Sequence, residues 1–289
     1  MPYYKSVTVE GDVVQVKKYY AKKHRTLPEY RNKKSKPTSE EIAAVNQKNA
    51  ERKLTSILNA NFHEGDGFVT LTYSRELRPK PDVARKYTKK FLRQLRRLYR
   101  QEGTILKYVL VTEYESASIH HHLVVNSIED VNLIKMLSKI WPYGSVDTKA
   151  LYSMEYSQLA AYIIKETSKT FQKNDGGAKQ RYSCSRNLVR PVPMKTVISR
   201  AETWLKRPRA PKGYFIPEDL CYEGTDFAGN PYQRYTMLKL TAGRPPTYLS
   251  LGEQKRWYEK IIEEDPHNQE AKKRLKIIDE KGGLNEEDN

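Results

Sequence analysis

The sequence predicts an α+β protein with a ferredoxin-like antiparallel sheet, helices on one face of that sheet, and helical extensions at both ends. Three observations favour this class. Short β-branched runs and helical patterns alternate over residues 67–151 in the order β-α-β-β-α-β, which is typical of a split βαβ unit. Helical periodicity also precedes and follows that unit. A content of 38% hydrophobic residues is low but still permits a packed core.

The individual elements are predicted from caps, periodicity and turn residues. A capping box of Thr38 and Glu41 predicts the start of the first helix. The central unit then contains predicted strands at 67–74, 105–113, 119–126 and 145–151, a helix at 82–101, and a helix opened by Ser127 and Asp130. A further helix is predicted at 155–170 and a loop at 171–181. Residues 251–281 are predicted to form one amphipathic helix or a helix pair broken at Pro266.

These elements predict three parts of the chain. A basic arm and helix occupy residues 1–60, a central domain occupies 61–195, and an extension with terminal helices occupies 196–289. The arm carries 13 Lys or Arg against 6 acids, whereas residues 253–289 carry 8 against 11. The basic excess therefore lies before the terminal helices.

The charge balance indicates the class of partner. Lys and Arg number 52 against 35 Asp and Glu, a formal charge of +17, so a polyanion such as nucleic acid is the expected partner. No run approaches the ~20 apolar residues of a membrane span, and we expect a cytoplasmic protein without a membrane partner. Its two cysteines, Cys184 and Cys221, form neither a disulfide framework nor a cysteine zinc site.

Two segments carry most of the positive charge that could contact phosphates. Residues 17–36 interleave nine basic residues with tyrosines, a mixture that suits either nucleic-acid binding or a solvated basic loop. Helix 82–101 surrounds one apolar stripe with eight Lys or Arg. Its exposed cations either contact DNA or only keep the surface soluble. The DNA-binding candidates on this helix are Lys86, Lys90, Arg93 and Arg97.

Three consecutive histidines lie in one apolar strand. Alternate strand residues share a face, so His120 and His122 point together while His121 points away. A short hairpin loop would set Glu113 opposite His120. Two imidazoles and one carboxylate form a metal site with open coordination positions, which accepts Mn, Zn or Co and, less readily, Mg. The alternative is one buried, hydrogen-bonded histidine beside two that line a polar surface.

The pattern of Glu113, a short loop and His-His-His-Leu-Val-Val-Asn resembles the metal motif of HUH endonucleases, in particular rolling-circle replication initiators of the filamentous-phage gene II type. In that motif a hydrophobic residue separates the two histidines, and here His121 takes that place. The resemblance covers residues 40–195 and implies that the central domain is an HUH nuclease. It implies a divalent metal, Mn or Mg, bound by Glu113, His120 and His122.

The resemblance also implies a nucleophilic tyrosine in a Tyr-x-x-Lys motif after the last strand. Tyr162 and Lys165 occupy that place. Tyr162 could instead be a core aromatic, and Tyr152 and Tyr156 remain candidates for a second nucleophile. The stretch 182–188 also resembles phage-type initiators, and Arg186 within it is a further DNA-binding candidate.

The expected activity is nicking and rejoining of single-stranded or hairpin origin DNA through a 5′-phosphotyrosyl intermediate, with a host helicase and polymerase as partners. The sequence has no G-x-x-x-x-G-K-[ST] phosphate loop, so a helicase must come from elsewhere. Two alternatives stay open at this point. One is a relaxase or single-tyrosine transposase of the same superfamily, and the other is a non-catalytic nucleic-acid-binding protein.

Overall fold

The computed structural model describes residues 3–20, 39–114, 119–173, 181–199, 207–225, 230–241, 245–246 and 249–284. The chain forms two compact units. One comprises residues 37–152 and 156–190, and the other comprises residues 1–36, 153–155 and 191–289. Their boundaries differ from the functional division at 1–60, 61–195 and 196–289, which stays a prediction.

Eleven strands and six α-helices lie in the described residues. The strands are β1 (Tyr3–Glu10), β2 (Val13–Tyr20), β3 (Gly67–Leu71), β4 (Tyr108–Tyr114), β5 (Ile119–Val125), β6 (Val146–Ala150), β7 (Ser183–Cys184), β8 (Met194–Ile198), β9 (Tyr214–Phe215), β10 (Cys221–Thr225) and β11 (Pro231–Lys239). The helices are α1 (Ser39–Asn61), α2 (Pro81–Gln101), α3 (Leu133–Ser138), α4 (Ser157–Lys173), α5 (Leu251–Glu264) and α6 (Gln269–Leu284).

The unit of residues 37–152 and 156–190 contains the predicted β-α-β-β-α-β series. Its five strands are ordered β6-β3-β5-β4-β7, and each pairs antiparallel with its neighbours. The two crossover helices, α2 and α3, join β3 to β4 and β5 to β6. The α+β class and the split βαβ order are therefore confirmed.

Both faces of this sheet are covered. Alternate residues such as Leu110 and Leu123 pack with α2 and α3 on one face, in agreement with the prediction. Val111 and Val124 point the other way and pack with α1 and α4, so helices lie on that face as well. The sequence carries the signal in near-continuous apolar runs such as Leu123–Val125, which are typical of strands buried on both sides.

The second crossover helix begins later than predicted. Ser127 does not open it, because the backbone N–H and the hydroxyl of Ser127 both donate to Asp66, at 2.7 and 3.1 Å. Asp130 has a left-handed φ of 57°. The helix α3 instead begins after Asn132, whose side chain accepts a hydrogen bond from Lys135 N at 3.0 Å. The predicted start at Ser127 is thus wrong, while the helix itself exists.

The other unit contains a second sheet that the sequence reading missed. Its strands are ordered β10-β11-β2-β1-β8, with β9 beside β11. On one face Val13 and Leu238 pack with α5 and α6 around the buried Trp257. The predicted terminal helix pair is confirmed, and α5 begins with a capping box of Ser250 and Glu253.

Several sequence predictions fall outside the described residues. The Thr38–Glu41 capping box, most of the basic segment 17–36, and the loop at 174–180 lie there, although residues 17–20 belong to β2 and residues 171–173 to α4. Among the helices that the structure describes, none is both long and apolar enough to cross a membrane.

Candidate active site

The three histidines of β5 point to two different environments. His121 is fully buried on the face that α2 and α3 cover. Its Nδ1 lies 2.9 Å from Thr112 Oγ1 and its Nε2 lies 2.9 Å from Tyr73 Oη. Burial, followed by the neighbouring His122 and His120, lowers the pKa of His121 to about 3. His121 is therefore a neutral core residue, as its predicted orientation away from His120 and His122 requires.

The β4–β5 hairpin has the predicted register. Glu113 lies directly opposite His120, and Val111 lies opposite His122. Because facing residues share a side of the sheet, Glu113, His120 and His122 lie on the face that α1 and α4 cover. Glu113 and His122 are each only 7% exposed. The hairpin thus brings the predicted carboxylate and imidazoles to one face.

The imidazole of His122 is held at both nitrogens. Its Nε2 lies 3.2 Å from Glu113 Oε2, and its Nδ1 lies 3.3 Å from Thr70 Oγ1 on the neighbouring strand β3. A threonine hydroxyl can donate or accept, so Thr70 supports either tautomer of the ring. His122 can therefore donate its Nε2–H to Glu113 or present an Nε2 lone pair beside that carboxylate. The sequence reading did not single out Thr70.

The donor atoms of Glu113 and His122 suit a divalent cation, since both are buried and adjacent. The full ligand set is not assembled in this conformation. Within the described parts of the chain, no three His, Cys, Asp or Glu side chains are grouped closely enough to hold a metal ion. His120 pairs with Glu113 along the backbone, and its place in the ligand set stays a prediction.

Tyr162 lies beside His122. Their ring centroids are 5.8 Å apart and the rings meet edge to face, at 72°. Phe68 stacks on His122 at 5.6 Å and 6°, and it also meets Tyr162 edge to face at 6.4 Å. Aromatic contacts of this kind are favourable and directional. Phe68, for which the sequence predicted a strand but no role at the site, orients both rings.

The side chain of Tyr162 is 45% exposed. The alternative of a core aromatic therefore fails for Tyr162, because the buried stripe of α4 is formed by Ala160, Ile163 and Ile164. Lys165 is exposed and lies three residues further along α4, on the same side of the helix as Tyr162. Access from solvent and proximity to His122 are the two properties that a nucleophile at this site requires.

The two alternative tyrosines, Tyr156 and Tyr152, differ in their exposure to solvent. Tyr156 is 2% exposed in the core between sheet and helices, and burial, followed by the charges of Asp66 and Glu64, raises its pKa. Its hydroxyl has no hydrogen-bond partner among the residues that the structure describes. Tyr152 is 63% exposed, in the connection between β6 and α4. Tyr156 therefore lacks the access to substrate that a nucleophile needs.

The predicted DNA-binding cations lie elsewhere in the same unit. Lys86, Lys90, Arg93 and Arg97 are exposed on α2, which packs on the face of the sheet opposite His122. Arg186 is exposed just after β7. None of these five side chains can contact a phosphate placed against His122 and Tyr162, so any DNA contact that they make involves another part of the strand.

The segment from β3 to α4 is similar to a known protein family. Residues 66–171 match the family model of the replication-associated protein ORF2/G2P. This ORF2/G2P match spans Glu113, His120, His122, Tyr162 and Lys165, and it supports a rolling-circle replication initiator. No curated protein and no solved structure matches the chain significantly.

Proposed function

We propose that this protein is an HUH-type rolling-circle replication initiator that nicks and rejoins single-stranded DNA at an origin, with Tyr162 as the nucleophile. The observation that carries the proposal is the pairing of a half-exposed tyrosine ring with the ring of His122, 5.8 Å away, on the face that also holds Glu113. The ORF2/G2P match over residues 66–171 supports the same class of activity.

Glu113, His120 and His122 would hold a divalent cation, Mn or Mg, which when bound polarises the scissile phosphate and offsets its developing charge. Thr70 keeps the His122 ring oriented through Nδ1, so that Nε2 remains directed at Glu113. Phe68 excludes water from one side of the imidazole by stacking on it. These two residues set the geometry before substrate arrives.

Tyr162 Oη forms the new bond to phosphorus, and the bond from phosphorus to the 3′ oxygen breaks. The products are a 5′-phosphotyrosyl link and a 3′-hydroxyl, which takes up the proton that tyrosine loses. A tyrosine hydroxyl is mostly protonated at neutral pH, so a nearby positive charge assists the attack. Lys165, one helical turn from Tyr162, supplies such a charge to the phenolate or to the phosphate. A later 3′-hydroxyl reverses the same step and joins strands without ATP.

The decisive experiment incubates the protein and Mn²⁺ with a labelled single-stranded origin oligonucleotide and resolves the adduct on a denaturing gel. Tyr162→Phe should abolish the covalent adduct. Tyr156→Phe is the matched control on the same face of the sheet: it should leave adduct formation unchanged, because Tyr156 is buried and its hydroxyl makes no hydrogen bond to any described residue. An undiminished adduct from Tyr162→Phe would place the nucleophile elsewhere.

Metal removal gives a second test of the same proposal. Chelation with EDTA should stop adduct formation, and added Mn²⁺ should restore it. Salt-dependent DNA binding should largely persist, because Lys and Arg contacts to phosphates provide it. Adduct formation that continues at full rate in EDTA would contradict the metal assignment while leaving the tyrosine assignment open to the first experiment.

A further inference from the structure

A cationic groove lies on the side of the sheet away from Tyr162. It joins two concave surfaces along the last turns of α2, with volumes of about 480 and 750 Å³. Among the described residues, arginines provide all of the charge that lines the two surfaces, and no carboxylate lines either one. The lining arginines are Arg93, Arg96, Arg97, Arg100 and Arg186.

The arginines of this groove are not engaged by acids. No ion pair among the described residues includes any of them. Arg96 contacts a described side chain: it donates to Tyr108 Oη at 3.0 Å and lies over the Tyr108 ring at 5.6 Å. Arg93, Arg97 and Arg100 are exposed and follow one another at three- or four-residue spacing, about 4.5–6 Å apart along the helix axis.

Arg186, the fifth arginine of the groove, lies in a segment that hydrogen bonds of its two neighbours hold in place. Ser185 exchanges hydrogen bonds with Tyr108 through its backbone N–H and its hydroxyl, at 3.0 and 3.1 Å. Asn187 donates its side-chain amide to Leu106 O at 3.2 Å. The two residues attach the segment after β7 to the edge of β4 and leave Arg186 exposed between them. The opposite wall of the groove is therefore held at a defined distance from α2.

We infer that this groove is a second DNA-binding site, which holds the phosphate backbone of duplex DNA next to the cut strand. The inference rests on the proposed function for one point only, namely that the polyanion bound in the groove is DNA. Tyr108 and Glu113 are five residues apart on β4, about 17 Å, and face opposite sides of the sheet, so one phosphate cannot reach both sites. The groove must therefore take a different stretch of DNA from the one that is cut.

The chemistry of the lining favours a duplex over a single strand. Guanidinium groups and the amides of Gln94 and Gln101 donate to phosphate oxygens, which requires no particular base. Sites for single strands also present open aromatic rings for stacking, whereas the ring of Tyr108 is 5% exposed and already carries Arg96. Ile105, 73% exposed at the rim, offers an apolar surface that suits a deoxyribose.

The test measures binding of the full chain to a 16-base-pair duplex of scrambled sequence by fluorescence anisotropy, between 50 and 200 mM salt. The groove variant is Arg93→Gln, Arg100→Gln and Arg186→Gln. Its slope of log affinity against log salt should be smaller by about 2.7, since each phosphate contact contributes about 0.9. Arg186→Gln alone should reduce the slope by about 0.9.

A charge-matched control comes from exposed lysines outside α2. Lys80→Gln, Lys135→Gln and Lys139→Gln remove three exposed charges that do not line the groove. This variant should keep most of the slope. An unchanged slope in the groove variant, or an equal loss in the control, would overturn the inference. An equal loss on a 16-nucleotide single strand would overturn the assignment to duplex DNA.

The two proposals fail separately. The groove variant should still form the covalent adduct on a short single-stranded oligonucleotide, because the groove does not reach Tyr162. Tyr162→Phe should bind the scrambled duplex as tightly as the unmodified protein. A groove variant that loses duplex binding but still nicks supports the groove. A Tyr162→Phe variant that loses nicking but still binds the duplex supports the active site and leaves the groove inference unaffected.

Discussion

His121 and His122 are adjacent in the chain, yet they belong to opposite faces of one sheet and differ in every respect that matters for chemistry. His121 is sealed between Thr112 and Tyr73 in a core that keeps it neutral. His122 lies beside a carboxylate and a half-exposed tyrosine. Residue type alone therefore assigns no role here, because strand alternation decides which imidazole is buried in the core and which one lies beside Glu113 and Tyr162.

The largest difference should appear when each histidine is removed in turn. His122→Ala should reduce covalent adduct formation by about 100-fold or more, since removing a metal ligand costs at least as much as removing its supporting hydrogen bond. The measurement is the initial rate of adduct formation at saturating Mn²⁺. A rate within a few-fold of the unmodified protein would show that His122 is no part of the chemistry.

The reciprocal change should act on stability. His121→Ala should lower the free energy of unfolding by about 2–4 kcal/mol, because it opens a cavity in the core and removes the hydrogen bonds that His121 makes with Tyr73 and Thr112. Urea unfolding followed by circular dichroism measures this loss. The folded fraction should retain its rate of adduct formation, and a loss of rate beyond that fraction would break the comparison.

The threonine hydroxyls that contact the His122 and His121 rings provide a more specific test. Thr70→Val should weaken Mn²⁺ binding and lower the rate by about 10- to 100-fold, because Thr70 orients His122 through Nδ1. Thr112→Val is the matched control on the other face, where it should cost about 1 kcal/mol of stability and leave metal binding unchanged. Equal effects of both substitutions on metal binding would contradict the assignment.

The smallest effect should come from the stacked ring. Phe68→Leu should slow adduct formation about 2- to 10-fold, since it removes aromatic contacts worth about 0.5–1.5 kcal/mol with His122 and Tyr162. Phe91→Leu, in the core on the opposite face, is the control and should affect stability alone. A rate unchanged by Phe68→Leu would show that His122 and Tyr162 are positioned without it.

Local periodicity accounts for what the sequence predicted correctly. The separation of His121 from His122 follows from the two-residue period of a strand, and the pairing of Glu113 with His120 follows from a short hairpin loop. Neither inference needs a distant residue. The sequence pattern alone did not decide whether Tyr162 is exposed, because the helical spacing of α4 was also consistent with a core aromatic at this position.

The missed features depend on residues far apart in the chain. Thr70 contacts His122 only because β3 pairs with β5, and Ser127 fails to open α3 because Asp66 binds it from 61 residues away. The second sheet joins β1 and β2 to strands beyond residue 190, a pairing that no local pattern announces. Tertiary packing determines these contacts and strand pairings, and it overrides the local propensity of the sequence.

The register of α4 has a consequence for how such a protein can diverge. Ala160, Ile163 and Ile164 anchor this helix in the core, and Tyr162 sits among them in the sequence while pointing outward. Inserting one residue between Tyr162 and Ile163 would turn the phenol by about 100° about the helix axis relative to Ile163 and Ile164. The helix could then keep Ile163 and Ile164 in the core or keep the phenol exposed, but not both. Insertions and deletions in this short stretch should therefore be tolerated far less than substitutions.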